Sequence, residues 1–332
     1  MTPVDSAIPD ISILIPIYNP GEYLVQCLDS LRDQSLDNLE FICINDGSTD
    51  DSLELMKRYA EKDSRIVIID KPNSGYGASM NKGLACARGR YIGIVEPDDY
   101  VSLKMFAQLY KSAKAHDCDV VKANYYEHRE EGDVIIRNFQ GFRYKQPFDA
   151  IDKPEIVCTI PSIWSGIYKK SFLEEHGIRF RETPGASFQD AAFSLKVWFA
   201  SKRCVLLRKP LLFYRVDNPN SSVKTKDKVF AVNEELAESE EFLRAMPERA
   251  KVFLPWFNVD KFGKYRWNYD RIADSEKVSF MQRMRDEYHK AQNNKELNLH
   301  LFKKEDHVVL EYLLEHGAEA FVKRYPESFF QQ

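Results

Sequence analysis

No stretch of this 332-residue chain approaches the roughly 20 consecutive apolar residues that cross a bilayer. No charged-then-apolar segment opens it either, so a soluble protein that stays in the cytoplasm is expected. Cysteine is sparse: Cys27, Cys43, Cys86, Cys118, Cys158 and Cys204 lie far apart, with no C-x-x-C pair and no histidine at zinc-finger spacing. That spacing excludes a zinc ribbon or a disulfide framework and predicts buried, reduced thiols. Basic residues are not in excess: 47 Lys and Arg against 51 Asp and Glu leave a net charge of −4, which argues against wholesale nucleic-acid binding. No G-x-G-x-x-G follows the first apolar run and no G-x-x-x-x-G-K-[ST] occurs, so dinucleotide and P-loop modes are disfavoured. At this length, and with 44% hydrophobic and 30% charged residues, one large globular domain with an appendage is expected.

What is present is a strict alternation. Residues 11–17 (I-S-I-L-I-P-I) are almost continuously apolar, as in a strand covered on both faces. A turn at 18–21 leads into helical spacing over 22–34; 39–44 reads as a second strand, 52–62 as a helix and 66–70 as a third strand. Residues 71–77 form a glycine-bearing loop, 78–87 a helix, and 91–95 a fourth strand. This β-α-β-α-β-α-β order with short connections predicts an α/β fold: a doubly wound, mostly parallel sheet with right-handed crossovers. Polar residues fall where the strands end, at Tyr18 and Asn19, Asn45 and Asp46, and Lys71 and Asn73. Ends of parallel strands share one edge, so these residues should converge on one cleft.

The fourth strand ends in a knot of acid, Tyr91–Tyr100, Y-I-G-I-V-E-P-D-D-Y. Pro97 cannot donate to a ladder and turns the chain outward, which delivers Glu96, Asp98 and Asp99 to the sheet edge. Three carboxylates so close repel one another unless a cation or a hydrogen-bonding ligand offsets them, and Mg²⁺ or Mn²⁺ with phosphate oxygens completing the shell fits that need. The alternative is a solvated acidic turn with no ligand.

The motifs P-I-Y-N at 16–19, N-D-G-S-T-D-D-S at 45–52, N-S-G-Y-G-A-S-M-N-K-G at 73–83 and E-P-D-D at 96–99 together resemble the family 2 glycosyltransferases, which have the GT-A fold, a Rossmann-like α/β architecture. The match weakens through the middle of the chain and is nearly absent beyond about 225. The resemblance implies an inverting transferase that takes a sugar from a nucleotide-sugar, UDP-linked by preference, with a divalent cation (Mn²⁺ or Mg²⁺) on the diphosphate. It implies a saccharide or lipid-linked saccharide acceptor, as in cell-surface polysaccharide synthesis, met in the cytoplasm or at the inner face of the membrane. Carried over by position, Pro16, Tyr18, Asn19, Glu22 and Asp46 hold the nucleoside. Lys71, Asn73 and Gly77 border base and ribose, with glycine allowing close backbone approach. Asp98 binds the metal, while Glu96 and Asp99 contact ribose or complete the metal shell. Glu96 stands where the family usually has aspartate.

In the second half, 102–116 reads as a helix, 119–126 as a strand and 134–137 as part of a hairpin. Gln189 and Asp190 precede an amphipathic helix, where relatives of this family carry two acids; the resemblance makes Asp190 the general base, against the plainer reading of a helix cap. Trp164 and Gln189 are the acceptor-side candidates, and Trp164 could be a platform there or simply core. Arg215, with Ser221, Ser222 and Lys224 in the polar loop behind it, could meet the diphosphate. The domain plan is 1–225 (a nucleotide-sugar half over about 10–100 and an acceptor half over about 101–225), then a helical extension over 226–332. Within the extension, 252–269 mixes aromatics with Lys251, Lys261, Lys264 and Arg266. A core of the appendage with its cations on the solvated face is favoured over a membrane-contacting surface. A polyprenyl-phosphate glycosyltransferase, or a non-catalytic nucleotide-sugar-binding or scaffold protein, are the alternatives.

Overall fold

A computed structural model of the protein describes residues 8–218 and 229–328. The chain forms two compact units, one of 1–150 with 160–220 and one of 151–159 with 221–332. The expected boundary near 225 falls outside the described residues.

The first unit is built on a seven-stranded sheet. Its first strands are β1 (Ile11–Ile17), β2 (Leu39–Asp46), β3 (Ile66–Lys71) and β4 (Tyr91–Ile94), linked by helices α1 (Tyr23–Arg32), α2 (Ser52–Ala60) and α3 (Tyr76–Cys86). All seven residues of β1 are buried, as their unbroken apolar run requires. Leu24, Cys27, Leu28 and Leu31 bury one stripe of α1. The other strands are β6 (Val120–Ala123), β9 (Gly166–Lys169) and β10 (Cys204–Leu207), and the order across the sheet is β10-β6-β9-β4-β1-β2-β3. Every described pairing is parallel except those of β9, which runs against both β4 and β6. The doubly wound, mostly parallel sheet expected from the alternation is present.

A second sheet of four strands, ordered β5-β11-β7-β8, lies in the same unit. Its strands are β5 (Tyr100–Val101), β7 (Tyr125–His128), β8 (Val134–Ile136) and β11 (Leu212–Arg215). The single strand expected over 119–126 is therefore two strands in two sheets, β6 and β7. Asn124 makes the break, bonding the Arg208 carbonyl through Nδ2 at 2.9 Å. Helix α4 (Met105–His116) packs under β6, and α5 (Lys170–Glu175) and α6 (Gln189–Ala200) follow β9. Two further expectations shift: β2 runs on to Asp46, and α3 begins at Tyr76, inside the expected loop.

The second unit holds α7 (Ala231–Arg244), α8 (Pro247–Tyr269), α9 (Asp274–Asn293) and α10 (Lys304–Arg324), with residues 154–158 packed on α8. Phe253, Phe257, Phe262, Tyr265 and Tyr269 are its core, at 0–1% exposure. Lys251 faces solvent as expected, but Lys261 does not: it is buried between Glu240 and Glu287. The six cysteines are free, and four of them are buried; Cys86 and Cys158 are exposed. Among the described residues no helix is long and apolar enough to cross a membrane.

Candidate functional site

The parallel strands end at one edge of the large sheet, and the site is built there. Val95 N–H donates to the Leu14 carbonyl, so Leu14 bonds on the β4 side, and Pro16, two residues on, faces the same way. Its missing N–H thus lies where β4 has already turned off at Pro97, and Pro16 itself is buried. Tyr18 beyond it is 54% exposed, and Glu22 is exposed at the start of α1. Asn19 has left-handed backbone (φ 48°), and its Oδ1 accepts from Thr49 N–H at 2.7 Å and Asp50 N–H at 3.3 Å. Asn19 is therefore a strut between the loops after β1 and β2.

Asp46, at 5% exposure, is equally engaged. Its Oδ1 accepts from Ser74 N–H at 2.8 Å and from Lys71, and its Oδ2 accepts from Gly75 N–H at 3.1 Å. Lys71 also reaches Ser74 Oγ at 2.5 Å. Asp46 and Lys71 thus hold the 71–75 loop in place, and Asn73, exposed on that loop, is left to face solvent. Gly77 departs from expectation: a Cβ there would stand 1.9 Å from the Arg181 carbonyl oxygen, so protein backbone, not open space for a nucleotide, fills its side-chain position.

In the acidic turn the three carboxylates have different surroundings. Glu96 Oε1 accepts from Tyr76 Oη at 2.7 Å. Burial pushes its pKa up to about 8, against the Tyr76 bond and with the charges of Asp98 and Asp190 adding to the rise. Asp98 is half-buried and accepts from Asn218 Nδ2 at 2.8 Å. Asp99 is 1% exposed; its Oδ1 accepts from Arg215 N–H at 2.8 Å, and its Oδ2 has no hydrogen-bond partner among the described residues. Burial, then the Asp98 charge, holds the Asp99 pKa well above the usual carboxylate range. Asp99 therefore ties the turn to β11 through one carboxylate oxygen.

Arg215 is half-buried and braces the same turn. It donates through Nε to the Asp98 carbonyl at 3.1 Å and through its terminal amine to Gln26 at 2.6 Å, and lies 4.7 Å over the Tyr23 ring. Among the described residues no three of His, Cys, Asp and Glu converge as a cation site. One or two carboxylates with phosphate oxygens and water do satisfy a hard divalent cation, and Asp98 with the uncompensated charge around it fits that donor set.

Across from the turn, Asp190 lies in the first turn of α6, close enough to raise both Glu96 and Tyr76 by its charge. Gln189 points the other way: at 2% exposure, it bonds Thr183 Oγ1 at 2.8 Å and is not available to an acceptor. Trp164 is 8% exposed, stacked on Tyr214 at 5.1 Å and edge-on to Tyr125 at 4.6 Å; it is core, not a platform. Ser221, Ser222 and Lys224 lie outside the described residues. The sequence reading missed Tyr76, Asn218 and Tyr214, which touch or face the acidic turn. Tyr76 sits inside the N-S-G-Y-G-A-S-M-N-K-G motif, and Asn218 lies just ahead of the polar loop behind Arg215.

A crevice of about 590 Å³ opens at the opposite edge of the sheet, where Lys169 pairs with Asp117 at 2.6 Å and Lys170 with Glu174 at 3.1 Å.

A model of "Glycosyl transferase family 2" matches residues 12–209. The chain is 32% identical over 224 residues to the uncharacterized glycosyltransferase EpsJ of Bacillus subtilis, covering 64% of this chain and 63% of that protein, so the match spans less than two thirds of the relative. Among solved structures, S. aureus TarS 1-349 in complex with UDP-GlcNAc superposes with a TM-score of 0.75 at 18% identity, over 94% of this chain and 88% of that one. The mannosyltransferase PcManGT of Pyrobaculum calidifontis, in complex with GDP-Man and Mn²⁺, gives 0.52 at 14% identity, over 96% and 88%. Both likenesses show the fold, GT-A, and the TarS match runs through the helical region as well, where the sequence resemblance fades.

Proposed function

The chain belongs to glycosyl transferase family 2, a family of glycosyltransferases, and from that premise we propose that it is an inverting enzyme using a metal-bound, UDP-linked sugar and a saccharide hydroxyl as acceptor. The observation that carries this reading is that Asp190, in the first turn of α6, stands close enough to the acidic turn for its charge to raise Glu96. The TarS complex with UDP-GlcNAc supports a UDP-linked donor, and the Mn²⁺ in the mannosyltransferase supports a divalent cation.

In the reaction, the bond from the anomeric carbon to the diphosphate oxygen breaks and its electron pair leaves with UDP. The acceptor oxygen bonds that carbon from the opposite face, and its proton passes to Asp190 as general base. A divalent cation held by Asp98 would supply Lewis-acid stabilisation of the charge on the departing diphosphate. Asp46, Lys71 and Asn19 hold the nucleotide-side loops in shape. Arg215 and Asn218 hold the acidic turn, and Tyr76 orients Glu96.

The test is calorimetric titration of UDP and then GDP, with and without Mn²⁺, on wild type and Asp98→Ala, followed by hydrolysis of UDP-GlcNAc and GDP-mannose. UDP binding that needs both Mn²⁺ and Asp98, together with turnover, is expected. Binding of neither nucleotide sinks the reading; binding without turnover leaves a nucleotide-sugar-binding protein. Undiminished turnover in Asp190→Asn favours a lipid-phosphate acceptor, which needs no strong base.

A further inference from the structure

The segment that leads into Asp190 is held from two sides. On one side is the start of α3. Gly75 stands at φ +90°, and a Cβ on it would lie 2.6 Å from the Thr183 carbonyl oxygen; one on Gly77 would lie 1.9 Å from that of Arg181. Only hydrogen fits at such separations, so the two glycines let residues 181–185 run directly against α3. Tyr76 N–H donates to the Gly185 carbonyl at 3.2 Å. One turn on, Asn81 brackets the Phe180 backbone, donating to its carbonyl at 2.8 Å and accepting from its N–H at 3.0 Å, and reaches Glu182 at 2.9 Å.

On the other side is Gln189. Its Oε1 accepts from Ser187 N–H, and its Nε2 donates to Thr183 Oγ1 at 2.8 Å and to the Gly185 carbonyl at 3.3 Å. The Gly185 carbonyl thus joins Tyr76 of α3 to Gln189 of α6. Between Ser187 and Gln189, Phe188 has left-handed backbone at φ 61°, a conformation that a bulky residue keeps only when its surroundings impose it. Asp190 is the next residue after Gln189.

We propose that Gln189 is a positioning residue of the transfer reaction: by tying residues 183–187 to the glycine face of α3, it sets the direction in which Asp190 faces Glu96 and the acidic turn. The inference rests on the reading of Asp190 as general base and adds what holds that base in place. It also couples the two halves of the cleft, because the loop that Asp46 fastens through Ser74 and Gly75 leads straight into the turn of α3 that the 181–185 segment lies on.

The test uses the full chain as wild type, Gln189→Ala, Gln189→Glu and Asp190→Asn. Three quantities are read with Mn²⁺ present: hydrolysis of whichever of UDP-GlcNAc and GDP-mannose the wild type cleaves, nucleotide affinity by calorimetry, and amide hydrogen exchange over 74–77 and 181–188. Hydrolysis is the same displacement with water as acceptor, its proton passing to Asp190. Gln189→Ala should lower kcat about tenfold or more while KM and nucleotide Kd stay within about twofold, and should speed exchange at 183–187. Gln189→Glu should keep kcat within about threefold, because a carboxylate still accepts from Ser187 N–H and the Thr183 hydroxyl and loses only the bond to Gly185. Wild-type kcat or unchanged exchange in Gln189→Ala overturns the proposal. So does a parallel loss of nucleotide affinity, which is what a merely structural residue would give. Wild-type hydrolysis in Asp190→Asn, with the segment's exchange unaltered, overturns the base assignment instead, so the two failures are distinct. A wild type that cleaves neither donor overturns the proposed function, and this inference with it.

Discussion

In the helical unit, Lys261 is 3% exposed and has Glu240 at 3.3 Å and Glu287 at 3.6 Å, and Asp260, at 7%, has Lys264 at 2.5 Å. Lys261 and Arg244 hold Glu240 below its ordinary pKa against the opposing effect of burial. In the sheet unit, Asp99 at 1% exposure has one carboxylate oxygen without a partner among the described residues, and its nearest charges include Asp98 and Glu96. Lys122, at 3%, has the Ser162 carbonyl and Tyr168 Oη but no carboxylate among the described residues. Ionisable groups buried in ion pairs keep their charge; buried without one, as Glu96, Asp99 and Lys122 are, they are pushed toward the neutral form.

Four measurements would break or sharpen that contrast. Lys261→Met should cost about 2 kcal/mol in urea unfolding, because it takes a buried cation from the half-buried carboxylates of Glu240 and Glu287, while UDP affinity stays at the wild-type value. Equal stability would mean that the helical unit's pairs do not hold it. Asp98→Ala should do the reverse: about a hundredfold less turnover, ~2.7 kcal/mol of transition-state stabilisation, with a melting temperature unchanged or raised as repulsion within the turn is relieved.

The third concerns pH. Lys122 has its pKa lowered by burial from 10.5 to about 7, so between those values the unfolded chain binds a proton that the folded chain does not. The contribution of Lys122 to stability should therefore rise with pH across that window, and Lys122→Met should make the slope of stability against pH less positive in unfolding curves taken from pH 7 upward. A slope unchanged by the substitution would show that Lys122 carries its charge when folded. The smallest effect belongs to Lys251, 70% exposed and 2.8 Å from Glu248: Lys251→Ala should leave the melting temperature where it was.

The first four strands were legible because each is an apolar run closed by a turn cluster, and the convergence of Asp46, Lys71 and the acidic turn on one edge followed from parallel topology alone. Shorter elements escaped: β5 has two residues, and β9 and β10 have four each. Site residues were found, but their partners were not. Asn19 was legible as polar and strand-terminal, yet its bonds run to Thr49 and Asp50, about thirty residues on. Gly77 read as room for a nucleotide, because no local pattern reveals that Arg181 passes beside it. Gln189 read as a carboxylate lost, where the fold uses an amide that both donates and accepts. Local pattern exposes which residues are unusual; what they touch is decided by chain crossings a hundred residues apart.

One strand of the large sheet has a consequence for how the protein is made. β9 runs against its neighbours, between β4 and β6, and those two strands do not pair with each other. Everything on the β4 side comes from residues 11–94, and everything on the β6 side comes from 120–123 and 204–207. A chain emerging from the ribosome can close the first group by neighbouring crossovers, while the second has no place to attach until residues 166–169 arrive as a wedge. A nascent chain stalled short of that wedge would carry Asp46 at the end of β2 but would still lack Arg215 and Asn218, which brace the acidic turn. Asp190 too would still be unmade, so the edge at which the strands end is completed only by residues that follow the wedge.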